Sequence, residues 1–175
     1  MNRRLSTLAV LCAGLCALVG PAAAQEAVSA LKGHDSNAPV DVAADRIELQ
    51  DRADRALLSG NVHIRQGNMT LDAPRVTVAY TRAGSTEIQR LDASGGVNVV
   101  SPTETARSQF AIYDLDRRLI TMLGSVTLTR AGSNVNGSRL VIDLNSGRAT
   151  VDGSAVGGGG SGRVTGHFTV PKRTP

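Results

Sequence analysis

Residues 58–64 read Leu-Ser-Gly-Asn-Val-His-Ile, and the chain keeps returning to this pattern. Residues 93–99 read Ala-Ser-Gly-Gly-Val-Asn-Val, residues 122–128 read Met-Leu-Gly-Ser-Val-Thr-Leu, and a weaker copy occupies residues 151–155. The glycines Gly60, Gly95, Gly124 and Gly153 recur at nearly even intervals along the chain. A period of roughly 30 marks a repeat architecture. Within each copy, apolar and polar residues alternate: Leu58, Gly60, Val62 and Ile64 share one face, while Ser59, Asn61 and His63 share the other. Period-two alternation is the mark of a strand with one face in a core. A strand glycine marks a bend, a bulge or a close backbone approach, so stacked glycines predict a sheet that turns a corner at one level in every repeat.

A second element recurs between the glycine strands, with apolar anchors Ile47, Val76, Phe110 and Leu140 that keep nearly the same period. Turn residues punctuate the pattern at 66–68, 83–85, 114–118, 131–133 and 145–147. No sustained helical period follows residue 40. The expected fold is all-β, with about ten to twelve short strands over residues 40–156. Residues 25–39 are polar and read as a flexible lead-in. Residues 157–162 are a Gly/Ser linker, and residues 163–175 form a short basic tail or one last strand.

Residues 1–24 have the form of a secretory signal peptide. Arg3 and Arg4 precede an apolar run over residues 5–19, and Ala22-Ala23-Ala24 offers a cleavage site. Both cysteines, Cys12 and Cys16, lie in this segment, so the expected mature domain has no disulfide and relies on its core. Without Arg3 and Arg4 the basic residues only slightly outnumber the acidic ones, a balance too even to attract nucleic acid. Two Tyr, two Phe and no Trp leave few stacking platforms for bases or sugars.

The polar residues form no reaction centre by spacing. His63 lies on a polar strand face, and the sequence shows no third group to orient it as a base. His34 and His167 lie toward the ends, so no metal cluster is expected. Asp114 and Asp116 read as turn acids, and no paired carboxylates recur as a glycosidase requires. The glycines of 157–162 lack the Gly-Lys-Ser/Thr ending of a phosphate loop. The expectation is therefore no catalytic residue, no metal and no cofactor.

A repeated apolar face makes either a filled core or a long groove. A lipid chain gains about 0.8 kcal/mol per buried CH₂, so exposing a dozen carbons costs on the order of 10 kcal/mol, and a carrier across water must shield them. The signal peptide, followed by Ala44-Asp45-Arg46-Ile47-Glu48-Leu49, residues 58–64 and Leu71-Asp72-Ala73-Pro74-Arg75-Val76, resembles the OstA-like (LptA) family of periplasmic lipopolysaccharide-transport proteins over residues 40–153.

The resemblance implies an open-ended, slightly twisted β-jellyroll of stacked repeats in the periplasm of a Gram-negative bacterium. It also implies a lipopolysaccharide bridge for outer-membrane assembly. The implied lipid-facing interior is Ile47, Leu49, Val62, Ile64, Val76, Val78, Val97, Val99, Phe110, Ile112, Met122, Val126, Leu128, Leu140 and Ile142, with Thr77 and Ala111 facing out. The first strand (Val40, Val42, Ile47) would pair with an inner-membrane transport subunit. The last (Leu140, Ile142, Val151) would pair with an outer-membrane translocon or another copy. Unpaired edges invite strand addition. Two other readings stand beside this one: the related inner-membrane-anchored subunit of the same pathway, and a secreted structural β-repeat with no lipid ligand.

Overall fold

The computed structural model describes residues 31, 34–82, 84, 86–153 and 162–169; the expected signal peptide lies outside them. Among the described residues, ten strands make one antiparallel sheet: β1 (Val40–Ala43), β2 (Arg46–Gln50), β3 (Arg55–Gln66), β4 (Met69–Thr81), β5 (Glu87–Val100), β6 (Glu104–Asp114), β7 (Leu119–Arg130), β8 (Ser133–Asp143), β9 (Arg148–Asp152) and β10 (Thr165–His167). Strands β3 to β8 form a meander. Both β1 and β2 pair with β3, and both β9 and β10 pair with β8. The two ends of the sheet do not meet.

Strands β3 to β8 are 11 to 14 residues long, which corrects the expectation of short strands. In each repeat the glycine run and the anchor run lie on two successive long strands, each with an irregularity in its middle. Register shifts fall between Ser59 and Val62, Asp72 and Arg75, Ser94 and Val97, Arg107 and Phe110, and Leu123 and Val126. They stack at one level, so the sheet bends there as a unit. A hydrogen bond shows how far it folds. Tyr113 shares a row with Leu91 and Ile120 on one side of the bend, yet its hydroxyl donates to Gln66 Oε1 on the other side at 2.7 Å. The sheet is doubled over into two arms, with one core between them.

The corner glycines permit this bend. Gly60 and Gly124 have φ of +75° and +80°, in the left-handed region that glycine enters without steric penalty. A Cβ on Gly60 would lie 2.3 Å from Asp45 Oδ2, and one on Gly124 would lie 3.0 Å from Gln109 Cβ. Pro74 covers Gly95 in the same way. Pro74 lies within β4 but beside a register shift, where a missing N–H does not break the ladder. The fourth glycine, Gly153, follows β9 and makes no corner of this kind.

The hairpins obey local turn chemistry. Ala131 and Gly132, between β7 and β8, both have positive φ (+46° and +77°), as a two-residue hairpin turn matched to strand twist requires. Of the two readings of residues 163–175, tail or last strand, the short strand β10 is present over three residues, paired to Asn134, Val135 and Asn136 of β8.

Candidate functional site

Two rows of side chains line the first arm, read off directly from the strand register. One is Ile47, Leu58, Val76, Ala93, Ala111, Met122, Leu140, Val151, running from β2 to β9. The other is Leu49, Ala56, Val78, Leu91, Tyr113, Ile120, Ile142, Ala149. In the second arm the matching row is Val42, Ile64, Leu71, Val99, Ala106, Leu128, Val135. Paired residues on adjacent strands point to the same face, so these rows face one another across the fold.

Ten of the fifteen expected interior residues are buried here: Val62, Ile64, Val76, Val78, Val97, Val99, Met122, Val126, Leu140 and Ile142. Leu128 is partly buried against them. Ile47 and Leu49 are on the inner face but at its open edge, 48% and 68% exposed, because no strand lies beyond β2 among the described residues. Phe110 and Ile112 are misassigned by the sequence pattern. Phe110 pairs with Ser94 and Leu123, and Ile112 with Asp92 and Thr121, on the outer face; Phe110 is 54% exposed. Ala111, expected outside, is buried with Tyr113.

The cause is the register shift between Arg107 and Phe110, which moves one residue across the pleat. With Ala111 in place of Phe110 as the third anchor, the anchors fall at the same intervals that separate the glycines. Tyr113 escapes the sequence pattern for the same reason.

Of the expected partner strands, the first (Val40, Val42, Ile47) falls on β1 and β2, which have a free edge among the described residues. The last is corrected: Val151 lies on β9, whose outer edge is free among the described residues, but Leu140 and Ile142 lie on β8, which is paired on both sides by β7 and β9. At one end β1 and β2 form a strand broken at Ala44 and Asp45, one piece in each arm. At the other, β9 and β10 do the same with residues 153–164 between them. Strand β2 runs away from the corner and β9 toward it. Strand β1 runs toward the corner and β10 away from it. A β1/β2 edge can therefore continue a β9/β10 edge as an antiparallel sheet in both arms.

The seam between the arms' outer ends differs along its length. Toward β3 to β6 it is covered by Leu31 and residues 34–39, so residues 34–39 are not a loose lead-in. Gln66 and Glu104, 2% and 6% exposed, project from the inner face beneath them. Gln66 Nε2 donates to the carbonyls of Ser36 and Ala38, each at 3.0 Å. The Leu31 N–H donates to Glu104 Oε1, while Arg130 Nη2 meets Glu104 Oε2 at 2.6 Å. Burial pushes the Tyr113 phenol above its ordinary range, offset in part by the Ser36 contact and the Arg118 charge. Toward β7 to β9 the seam holds a cavity of about 590 Å³, lined by Leu128, Val135, Ala149 and Phe168 with Arg130 and Arg148 among its walls.

His63 is not without an orienting group, as the sequence implies: its Nδ1 lies 2.6 Å from Asp72 Oδ1. The pair is solvent-facing on the outer surface, and no hydroxyl hydrogen-bonds to the ring among the described residues. Asp114 receives the Arg117 N–H at 2.9 Å, a turn contact. No cluster of three metal-ligating side chains occurs among the described residues.

Comparison with known proteins agrees with this geometry. Over 78% of this chain and 99% of the other, the fold matches the crystal structure of LptH. That protein is the LptA-homologous periplasmic component of the conserved lipopolysaccharide transport device of Pseudomonas aeruginosa (TM-score 0.68, 17% identity). An uncharacterised protein of Rhizobium meliloti (strain 1021) is 29% identical over 156 residues, 84% of each chain. Residues 41–148 match the family described as LptA/(LptD N-terminal domain) LPS transport protein. With more than half its length matched and the open, doubled sheet in place, the chain belongs to the LptA/LptD N-terminal domain family of lipopolysaccharide-transport proteins.

Proposed function

We propose that this chain is a periplasmic, non-enzymatic carrier that shields lipopolysaccharide acyl chains between its two sheet arms, as one span of a bridge from the inner to the outer membrane. The observation that carries this reading is the inner row from Ile47 to Val151. It is apolar throughout, continuous across eight strands, and ends on each side at an edge that is unpaired among the described residues. A self-contained core would be expected to hide its ends. Here Ile47 and Leu49 stay exposed on the inner face, so an added strand would extend the apolar floor. The β1/β2 edge is the proposed contact for an inner-membrane transport subunit, and β9/β10 for an outer-membrane translocon or another copy. The signal peptide supports the compartment.

The full burial of Val76, Ile120, Met122 and Leu140 favours the rival reading, a structural repeat with no lipid. Photo-crosslinking in cells separates the two. A photoreactive residue at Leu128 or Val78 faces inward; one at Thr77 or Ile112 faces outward. Capture of lipopolysaccharide at the inward positions alone is the expected result. Equal capture at both faces, or none in a folded periplasmic protein, leaves the inner face as core only.

A further inference from the structure

The seam has one covered half and one open half. The cover is made of residues whose polar contacts are complementary to buried polar groups. Gln66 and Glu104 are the largest of the buried polar side chains among the described residues. Burying such groups without partners costs several kcal/mol. Their partners come largely from the covering segment: the Ser36 and Ala38 carbonyls for Gln66, and the Leu31 N–H for one oxygen of Glu104. Leu31 itself is buried in the core. On the far side of the seam, Arg118 Nη2 donates to Asn37 Oδ1 at 2.9 Å. The segment thus binds both arms at their open ends, and then enters β1.

From this we propose that Leu31 and residues 34–39 form a displaceable strap over the lipid groove. The strap occupies the mouth of the covered half. An acyl chain enters first at the open cavity beside Leu128, Val135 and Phe168, and lifts the strap as it advances toward β3. The proposal rests on the carrier reading above and adds its loading order. The strap's attachment suits reversible release. Apart from Leu31 it is held by polar contacts, and lifting it opens Gln66 and Glu104 to water rather than leaving them buried and unpaired. A protein whose binding-competent state is only partly populated binds more weakly by that fraction, so weakening the strap should tighten binding.

The test titrates fluorescently labelled lipopolysaccharide into the wild-type protein and into Leu31→Ser and Asn37→Ala variants. Thermal melts confirm that each is folded. Hydrogen exchange is followed at the Ala38 amide, which donates to the Asp35 carbonyl at 3.2 Å in the closed strap. The expected result is about three- to tenfold tighter binding for Leu31→Ser, a smaller gain for Asn37→Ala, and loss of Ala38 protection when the wild type is saturated. If the wild type binds and Ala38 stays protected at saturation, or if both variants bind no more tightly than wild type, the strap is a fixed part of the fold and the proposal fails alone. If the wild type binds no lipopolysaccharide, the carrier reading fails with it.

Discussion

The two free edges of the sheet have the same topology and unequal cover. At the β2 edge the inner-row residues Ile47 and Leu49 are 48% and 68% exposed. At the β9 edge their counterparts Val151 and Ala149 are partly buried against the core. The difference is steric. Val151 rests on Gly137 of β8, where a Cβ would come within 2.5 Å of its Cγ1. The glycine lets the last strand settle onto the sheet. At β2 the inner surface ends in large side chains that no described residue pairs with on the outer side. The β2 edge therefore has more to gain from a partner strand, and the β9 edge stands better alone. Apolar exposure follows the same line. Of the six large exposed hydrophobic residues among those described, Val42, Ile47 and Leu49 belong to the β1/β2 edge and Val164 and Phe168 to the β10 side. Phe110 is the exception, and it lies on the outer face.

Cavity-forming substitutions give the largest separation between centre and edge. Leu140→Ala, at a fully buried position, should destabilise the isolated protein by about 2–5 kcal/mol. Leu49→Ala should change it by no more than about 0.5 kcal/mol, as at an ordinary surface site. Urea denaturation measures both. A large loss for Leu49→Ala would mean that the β2 edge is already covered in the free protein.

The corner comes next. Gly60→Ala places a side chain at φ +75° and against Asp45, so it should cost about 1–3 kcal/mol. Gly96→Ala has a similar φ but nothing within 4 Å, and should cost less. Equal losses at the two sites would show that backbone strain alone, and not the packing of β1/β2 onto the corner, sets the penalty.

The smallest effect concerns the hairpin that anchors β9. The Ser146 hydroxyl, then the backbone N–H groups of Ser146 and Asn145, hold the Asp143 carboxyl below its ordinary range. A depressed folded pKa contributes stability above the unfolded value and loses it as pH falls through the folded one. Asp143→Asn should therefore be less stable than wild type above about pH 4, and the gap should close on acidification. A gap that persists at low pH would assign the effect to turn geometry rather than charge.

Much of the fold is legible in the sequence because period-two alternation and recurrent Gly positions are local. Residues 58–64 announce a strand, an inner face and a bend, and all three are present. Gly153 carries the same repeat spacing but lies after β9, since spacing cannot show whether a partner strand is there to bend with. The inner face is misread only past the corner at Phe110, where β6 has one residue fewer than the facing stretches of β5 and β7 and the alternation that follows is inverted. That inversion displaces Phe110, Ile112 and Ala111, and hides Tyr113. A register shift adds no composition of its own, so alternation alone does not reveal where it falls.

The sequence by itself determined the all-β class, the repeat, the corners and most of the apolar rows, because each depends on near neighbours in the chain. Only the tertiary structure decided which rows face each other and that residues 34–39 cover one half of the seam. Gln66 shows why. Within its strand it is a lone polar residue ending an apolar face, and its role appears only when the distant Tyr113 and the carbonyls of Ser36 and Ala38 converge on it. Contacts of that range arise from the doubling of the sheet, and no local pattern encodes them.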